Sequence, residues 1–484
     1  MPESNFTQSH PGAAPLPLCV DLDGTLVKSD TLVDSLLVMA RTRPALLRKL
    51  PAALLHGKAA FKATITHAIL LDVVHLPYNQ ELLRYLREQH ALGREIYLAT
   101  GADQALASRV AAHLGIFKKV LGSDGATNLT GSKKLVGLAA LLGSGGFDYI
   151  GNDTPDLPLL AKANQPMVAN PSLRLRMGLA THKIRPVRVF TDSSPTWKTL
   201  LKAVRVHQWS KNLLIFVPLL LSHVLSAAPL LTAFAAFCCF SLTASAAYIV
   251  NDLLDIEADR RHPHKSLRPF ASGDLSAFTG VSLAALFLLV GILDGRLLSG
   301  GFYGWLLVYL ATTLAYTWFL KRIALVDVLV LSGLYILRLL AGGAATQTPI
   351  SHWLDGFSMF LFLSLAIVKR FAELENLRAS GANVKNGRGY LLSDIPQLRS
   401  FGTASAYAAV VVLAIYISGL DVTKLYREPR YLWLMVPLVI LWLNRVWLLA
   451  SRGELDEDPV AFALTDRMSQ LIGIAIVAVA LLAL

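Results

Sequence analysis

The sequence predicts a soluble domain followed by an all-α membrane bundle of nine helices. Three observations carry that prediction. The 484 residues are 54% hydrophobic and 16% charged, with a mean hydropathy of +0.50, too apolar for a soluble chain of this size. The apolar residues are unevenly spread: residues 1–200 have a soluble composition, and long apolar runs recur from about residue 212 to the end. Between two of those runs lies a polar stretch, NDLLDIEADRRHPHKSLRPFASG from Asn251 to Gly273, which holds most of the charge in its neighbourhood.

The net charge of +12 fits positive cytoplasmic loops and anionic substrates or lipid headgroups. It does not point to nucleic acid, because no basic helix or aromatic-basic stripe stands outside the membrane pattern. Cys19, Cys238 and Cys239 show neither metal-type spacing nor a disulfide framework, so the soluble half is expected to be cytosolic. The N-terminus lacks a basic segment followed by an apolar one and is read without a signal peptide. Residues 1–14 are polar and rich in Pro and Gly and are expected to form a disordered tail.

The soluble half begins with an apolar run, Leu16 to Val20, that ends in Asp21-Leu22-Asp23-Gly24-Thr25. Alternate side chains of an extended segment face the same way, so Asp21 and Asp23 can reach one site. Residues 30–90 read as inserted helices. Ile96 to Gly101 reads as a second strand ending in Thr100, Lys134 opens a helix after Gly131-Ser132, and Tyr149 to Asp156 forms an acidic loop. Together these motifs resemble the haloacid dehalogenase superfamily of phosphohydrolases, over residues 15–180. The resemblance implies a doubly wound α/β core with its ligand at the C-terminal strand ends, and a small helical cap over the site. It implies Asp21 as nucleophile on phosphorus and Asp23 as the group moving protons. It further implies Thr100 and Lys134 as phosphoryl ligands, and Mg²⁺ held by Asp21, Asp23 and Asp153 or Asp156. Asn152 stands where many members carry the first Asp of the last motif, so a domain that binds phosphate without hydrolysing it is the competing reading.

Residues 181–200 carry Lys, Arg, Pro and Ser without apolar period and read as a linker to the membrane domain, 201–484. Apolar runs near 212–228, 229–254, 276–294, 298–318, 324–343, 354–375, 401–419, 430–449 and 467–484 each approach the roughly 20 residues that cross a bilayer. Lys and Arg favour the even loops: Arg260, Arg261, Lys265 and Arg268 in the second, Lys321 and Arg322 in the fourth, Lys369, Arg370, Arg378, Lys385, Arg388 and Arg399 in the sixth, and Arg452 in the eighth. The seventh, with Lys424, Arg427 and Arg430, is the richest odd loop. The even loops and the N-terminus are therefore expected at the cytoplasmic face of an inner membrane. Arg338, inside a span, is expected to line a cavity or to pair with Asp327.

In the polar stretch, Asp252, Asp255 and Asp259 fall at i, i+3 and i+7, so a continuous helix would put them on one face, with Glu257 pointing away. Three carboxylates at a membrane boundary repel unless a cation sits among them. Mg²⁺ suits the place, because it takes a few carboxylates and fills its other positions with phosphate oxygens and water. Asn251, Asp252, Asp255 and Asp259 are the candidate ligands, and the cations that follow suit a metal-bound diphosphate.

Asn251-Asp252-x-x-Asp255-x-x-x-Asp259 between apolar spans resembles the UbiA superfamily of intramembrane transferases. The resemblance implies a helical bundle around a cavity, with the Asp motif on the Mg²⁺-diphosphate of the donor. The second Asp-rich motif of prenyl-transferring members is absent from the sixth loop, which reads Ser364 to Glu375, SLAIVKRFAELE. His207 to Asn212 (HQWSKN), the HPHKSLRP run and VKRFAEL resemble decaprenyl-phosphate phosphoribosyltransferases. That implies transfer of ribose 5-phosphate from phosphoribosyl pyrophosphate to a polyprenyl phosphate, with Asp252 and Asp255 essential. Lys211, Lys265, Arg268, Lys321, Arg322, Lys369 and Arg370 are then the expected phosphate binders. The lipid product would keep a phosphomonoester that the soluble domain could remove. The alternatives are prenyl transfer to an aromatic acceptor, and a lipid-phosphate carrier with a phosphate-sensing domain. A homo-oligomer is compatible with this sequence.

Overall fold

A computed structural model describes residues 15–143, 145–192, 196–223, 226–379, 388–419, 422, 425–455 and 459–484. The expected N-terminal tail, and Lys385 and Lys424 of the loop-charge reading, lie outside the described residues. The chain divides into two compact units, one of residues 1–204 with 249–282, the other of residues 205–248 with 283–484.

The first unit is built on a six-stranded, all-parallel sheet in the order β3-β2-β1-β4-β5-β6. Its strands are β1 (Leu18–Val20), β2 (Ile96–Asp103), β3 (Lys119–Ser123), β4 (Asp148–Gly151), β5 (Pro166–Ala169) and β6 (Arg188–Phe190). The chain order runs outward from β1 in both directions, so β1 is the switch point of a doubly wound sheet. Ligands bind such sheets at the carboxyl ends of the strands there. In register, Val20 stands beside Leu98 on β2 and Ile150 on β4. Period-two alternation sends Leu18, Val20, Ile96, Leu98 and Ile150 into one buried cluster. Cys19, Tyr97, Ala99 and Tyr149 enter the other. Both faces are covered, as a parallel sheet requires.

Helices Thr31–Thr42, Leu50–Leu55, Lys58–Ala68 and Gln80–Ala91, with the 3-10 segment Pro44–Lys49, are inserted between β1 and β2, where the helical cap was expected. Asp30 starts the first by accepting from the N–H groups of Leu32 and Val33. The expected linker needs correction. Within residues 181–200, β6 adds to β5, with Val168 beside Val189, and Phe190 is fully buried. Three residues are too few for an apolar period to show.

Eight of the nine expected spans lie on helices. They are Ala227–Leu254, Ala277–Leu297, Gly300–Trp318, Val326–Thr346, His352–Ala379, Ile395–Ile417, Met435–Ser451 and Arg467–Ala483. Among the described residues, five stretches are long and apolar enough to cross a membrane: Ala227–Leu254, Ala277–Leu297, Val326–Thr346, Leu392–Ile417 and Pro429–Ser451. The first expected span is not one helix. Val206–Phe216 is a 3-10 segment followed by the short helix Val217–Leu221. Its polar residues bond sideways to the helices: the Trp209 indole to Ser245 at 2.9 Å and the Asn212 amide to Ser241 at 2.9 Å. Pro218 then removes a backbone donor. Close packing in the second unit is seen at Gly402, where a Cβ would lie 2.1 Å from the Trp447 ring. Ser364 ties the same place together, donating to the Gly402 carbonyl at 2.8 Å and accepting from the Trp447 indole at 3.1 Å.

Candidate active sites

At the end of β1 the chain delivers Asp21 and Asp23 to the switch point. The turn depends on Gly24, whose φ is +72° and whose Cβ, if present, would lie 2.1 Å from the Asn152 side chain. Asn152 accepts from the Thr25 hydroxyl at 3.2 Å, so it serves as a brace between the first and last motifs. Lys134, buried, donates to Asp21 at 2.9 Å, to Asp156 at 3.1 Å and to the Tyr149 hydroxyl at 3.0 Å. Tyr149 in turn donates to Asp156 at 2.7 Å. Asp156 also accepts from the backbone of Asn152 at 3.0 Å, so its oxygens are already engaged. Asp153 caps the Thr154–Asp156 turn and accepts from the Ser172 hydroxyl at 2.6 Å. Buried Thr100 accepts from the N–H of Ala102 at 3.0 Å.

The electrostatics separate the two leading carboxyls. Burial pushes Asp21 up to about 6, with Lys134 pulling it back. Burial, then the charge of Asp30, pushes Asp23 up to about 8. Burial works against the Lys134 charge, but Asp21 and Asp156 outweigh it and hold the ammonium up to about 12. A carboxylate ionised near neutrality beside a carboxyl that keeps its proton is the pairing a nucleophile and a general acid need. Lys62, from the cap helix, had no sequence signal. It donates to the Gly101 carbonyl at 2.5 Å and to Asn128 at 2.8 Å, and helps line a cavity of about 50 Å³ with Asp23, Asp30, Thr66 and Asp103.

The Asp-rich stretch differs from a continuous helix. The long helix ends at Leu254, a new one over Ile256–Arg261 starts after Asp255, whose side chain makes no capping hydrogen bond, and backbone bonds from Asp255 N–H to Asn251 and from Asp259 N–H to Asp255 carry the chain across the break. Asp252 and Asp259 are buried and share one guanidinium, Arg268, at 3.2 and 2.6 Å. Burial, against the pull of Arg268, pushes Asp259 up to about 6, and the charge of Asp252 adds to it. Half-buried Asp255 pairs with Arg41 of the cap at 2.9 Å. Glu257 turns to Arg261. Among the described residues no three carboxylate, imidazole or thiolate groups form a ready metal cage. The donors are nonetheless hard oxygens, two of them buried side by side, which suits Mg²⁺ completing its sphere with water and phosphate. Half-buried Asn251 precedes them, and Lys265 opens the turn Lys265–Leu267.

The same stretch is tied to the cap by further ion pairs that left no trace in the sequence. Buried Arg260 donates to buried Asp34 at 2.8 Å, to Ser29 at 3.1 Å and to the Ala271 carbonyl at 3.1 Å. Arg261 meets Asp72 at 2.7 Å and Lys28 meets Asp274 at 3.2 Å.

In the second unit, Arg370 departs from its expected role as a phosphate binder. It is almost fully buried and held by Asp327 at 2.5 Å, Glu373 at 2.7 Å and the Tyr316 hydroxyl at 3.0 Å, because a buried cation must be neutralised on the spot. Asp327 is thereby taken, and Arg338 pairs elsewhere: with Asn212 at 2.8 Å and the Tyr309 hydroxyl at 3.2 Å, over the Tyr309 ring. Lys211 stands 6.0 Å from the Tyr335 ring centre. Lys321 and Arg322 lie on the turn Leu320–Arg322, and Lys369 is half-buried.

Helices long and apolar enough to span a bilayer, with an Asp-rich motif closing one of them, are the arrangement expected of a membrane-embedded transferase. Residues 213–470 match the UbiA prenyltransferase family, and the chain belongs to it as a multi-pass membrane protein. Decaprenyl-phosphate phosphoribosyltransferase of Mycobacterium tuberculosis is 33% identical over 289 residues, 58% of this chain and 92% of that protein. The nodulation protein NoeC of Azorhizobium caulinodans is 36% identical over 277 residues, 56% and 88% of the two chains. Protein y4nM of Sinorhizobium fredii is 38% identical over 462 residues, 95% and 89% of the two, so that likeness runs through both the N-terminal part and the membrane part.

Proposed function

We propose that the membrane half transfers ribose 5-phosphate from phosphoribosyl pyrophosphate to a polyprenyl phosphate at the cytoplasmic face of the inner membrane. We further propose that the N-terminal domain then removes the 5-phosphate, leaving polyprenyl-phosphoryl ribose. The observation that carries the reading is the likeness to the mycobacterial phosphoribosyltransferase over 92% of that protein's length. The absence of a second Asp-rich motif from Ser364 to Glu375, where half-buried Lys369 stands, adds support.

In this reading the bundle has nine spans with a cytoplasmic N-terminus, and Mg²⁺ serves both sites. Bound Mg²⁺ neutralises diphosphate and phosphoryl charge. Asp252, Asp255 and Asp259 hold the donor's metal-diphosphate end. Lys211, Lys265, Lys321, Arg322 and Lys369 take phosphate oxygens, and Arg268 and Arg370 act through the carboxylates they hold. Departure of pyrophosphate builds positive charge on the anomeric carbon. The lipid phosphate, already anionic, attacks it without a general base. In the N-terminal site, Asp21 attacks the phosphomonoester while Lys134 and Thr100 hold its oxygens, and Asp23 gives its proton to the leaving ribose oxygen; a water that passes its proton back to Asp23 then displaces Asp21 from phosphorus and releases inorganic phosphate. Asp153 and Asp156 shape the metal side.

The family's prenyltransferase description favours one second reading, prenyl transfer to an aromatic acceptor. Purified protein is given labelled phosphoribosyl pyrophosphate with polyprenyl phosphate and, separately, prenyl diphosphate with 4-hydroxybenzoate. A labelled lipid in the first mixture alone, followed by release of inorganic phosphate, is the expected result. Product only in the second refutes the phosphoribosyl reading. A labelled lipid without phosphate release refutes the coupled hydrolysis.

A further inference from the structure

The three carboxylates of the Asp-rich motif do not draw their counter-charge from one place. Asp252 and Asp259 share Arg268, nine residues or more along the same stretch. Asp255 takes its guanidinium from Arg41, more than two hundred residues earlier, with Nη2 2.9 Å from Oδ1 and both side chains largely covered (18% and 16% exposed). Arg41 lies in the last turn of helix Thr31–Thr42. The first N–H of that helix, at Thr31, donates to Asp23 at 2.8 Å. The helix is fixed to the motif a second time by the buried Arg260–Asp34 pair.

A carboxylate that binds a metal needs its other oxygen held by a donor, which sets its orientation; loss of such a donor costs typically 10–100-fold in metal affinity. From this geometry we propose that Arg41 is a positioning residue of the transferase: it holds Asp255 for the Mg²⁺-diphosphate of the donor. The first helix inserted between β1 and β2 is thereby a working part of the donor-diphosphate end of the Asp-rich motif. The inference rests on the assignment of Asp255 to the donor under Proposed function.

Mg²⁺-dependent binding of radiolabelled inorganic pyrophosphate to the full chain, without lipid acceptor, tests it apart from turnover. Arg41→Ala is expected to weaken that binding about tenfold or more, to raise the donor KM in parallel and to change kcat less. Arg41→Lys recovers part of the loss. Asp72→Asn, which cuts the exposed Arg261–Asp72 link between the same two stretches, stays within about twofold of wild type. Wild-type affinity in Arg41→Ala overturns the inference, as does an equal loss in Asp72→Asn, or an Arg41→Lys chain no better than Arg41→Ala. A wild-type chain that neither binds Mg²⁺-pyrophosphate nor consumes the donor overturns the transferase reading itself.

Discussion

Lys134→Met removes a cation that Asp21, Asp156 and Tyr149 share, at 2.9, 3.1 and 3.0 Å, and leaves two carboxyls buried together. Removing one partner of a buried pair typically costs about 3–5 kcal/mol. In a domain of this size that lowers the unfolding temperature by about 10 °C. Tryptophan fluorescence cannot report it, since all eight Trp residues lie at or beyond Trp197. Cys19 can. It is fully buried on β1, and burial, then the charge of Asp148, pushes its thiol up to about 12, so it stays inert to alkylation until the sheet opens. In a Cys238→Ala, Cys239→Ala background, the temperature at which Cys19 becomes reactive is the readout. The pH dependence has a definite sign. Asp21 already titrates at about 6 in the folded chain against about 3.9 when unfolded, and without Lys134 it rises further. The penalty is therefore absent at the unfolded value and grows as pH rises through and beyond 6. The gap between variant and wild type should be wider at pH 7 than at pH 5. Adding Asp156→Asn should recover part of the stability and none of the phosphate release. Equal alkylation temperatures, or a gap that does not change with pH, would refute the account of this network.

Asp23→Asn should lower phosphate release by about 10²–10⁴-fold while stabilising the sheet. Its carboxyl titrates at about 8 when folded, so the cost of ionising it, and hence the gain, is larger at pH 8 than at pH 5 by Cys19 alkylation. Arg268→Ala takes the shared guanidinium from Asp252 and Asp259; labelled-donor transfer should need about 10–100-fold more Mg²⁺ for half-maximal rate. Gly24→Ala meets both a left-handed φ of +72° and Asn152 at 2.1 Å. It should abolish phosphate release and leave lipid labelling measurable, as thin-layer separation of the products would show. Asp327→Asn removes one of the two carboxylates on Arg370 and should cost about 3–5 kcal/mol of stability, read as loss of the monodisperse detergent-solubilised chain on heating.

The sequence by itself determined the contrast between a polar first part and an apolar second part, the strand that leads into Asp21 and Asp23, the strand that carries Thr100 (which runs on to Asp103), the basic Lys134, and the Asp-rich motif, whose stretch groups with the first unit. Each is written in local period or in short fixed spacing, which the backbone translates directly into position. Eight of the nine expected spans fall on helices for the same reason: apolar length is a local property. What only the tertiary structure decided lies in pairings across long separations. The 3-10 course of Val206–Phe216 follows from Asn212 and Trp209 finding partners on helices. The exchange of partners that gave Asp327 to Arg370 and Asn212 to Arg338, and the grip of Arg41 on Asp255, are of the same kind. A charge buried in a low-dielectric interior takes whichever opposite charge the packing brings within about 3 Å, and residues such as Arg41 and Asp255 share no period that could announce their meeting.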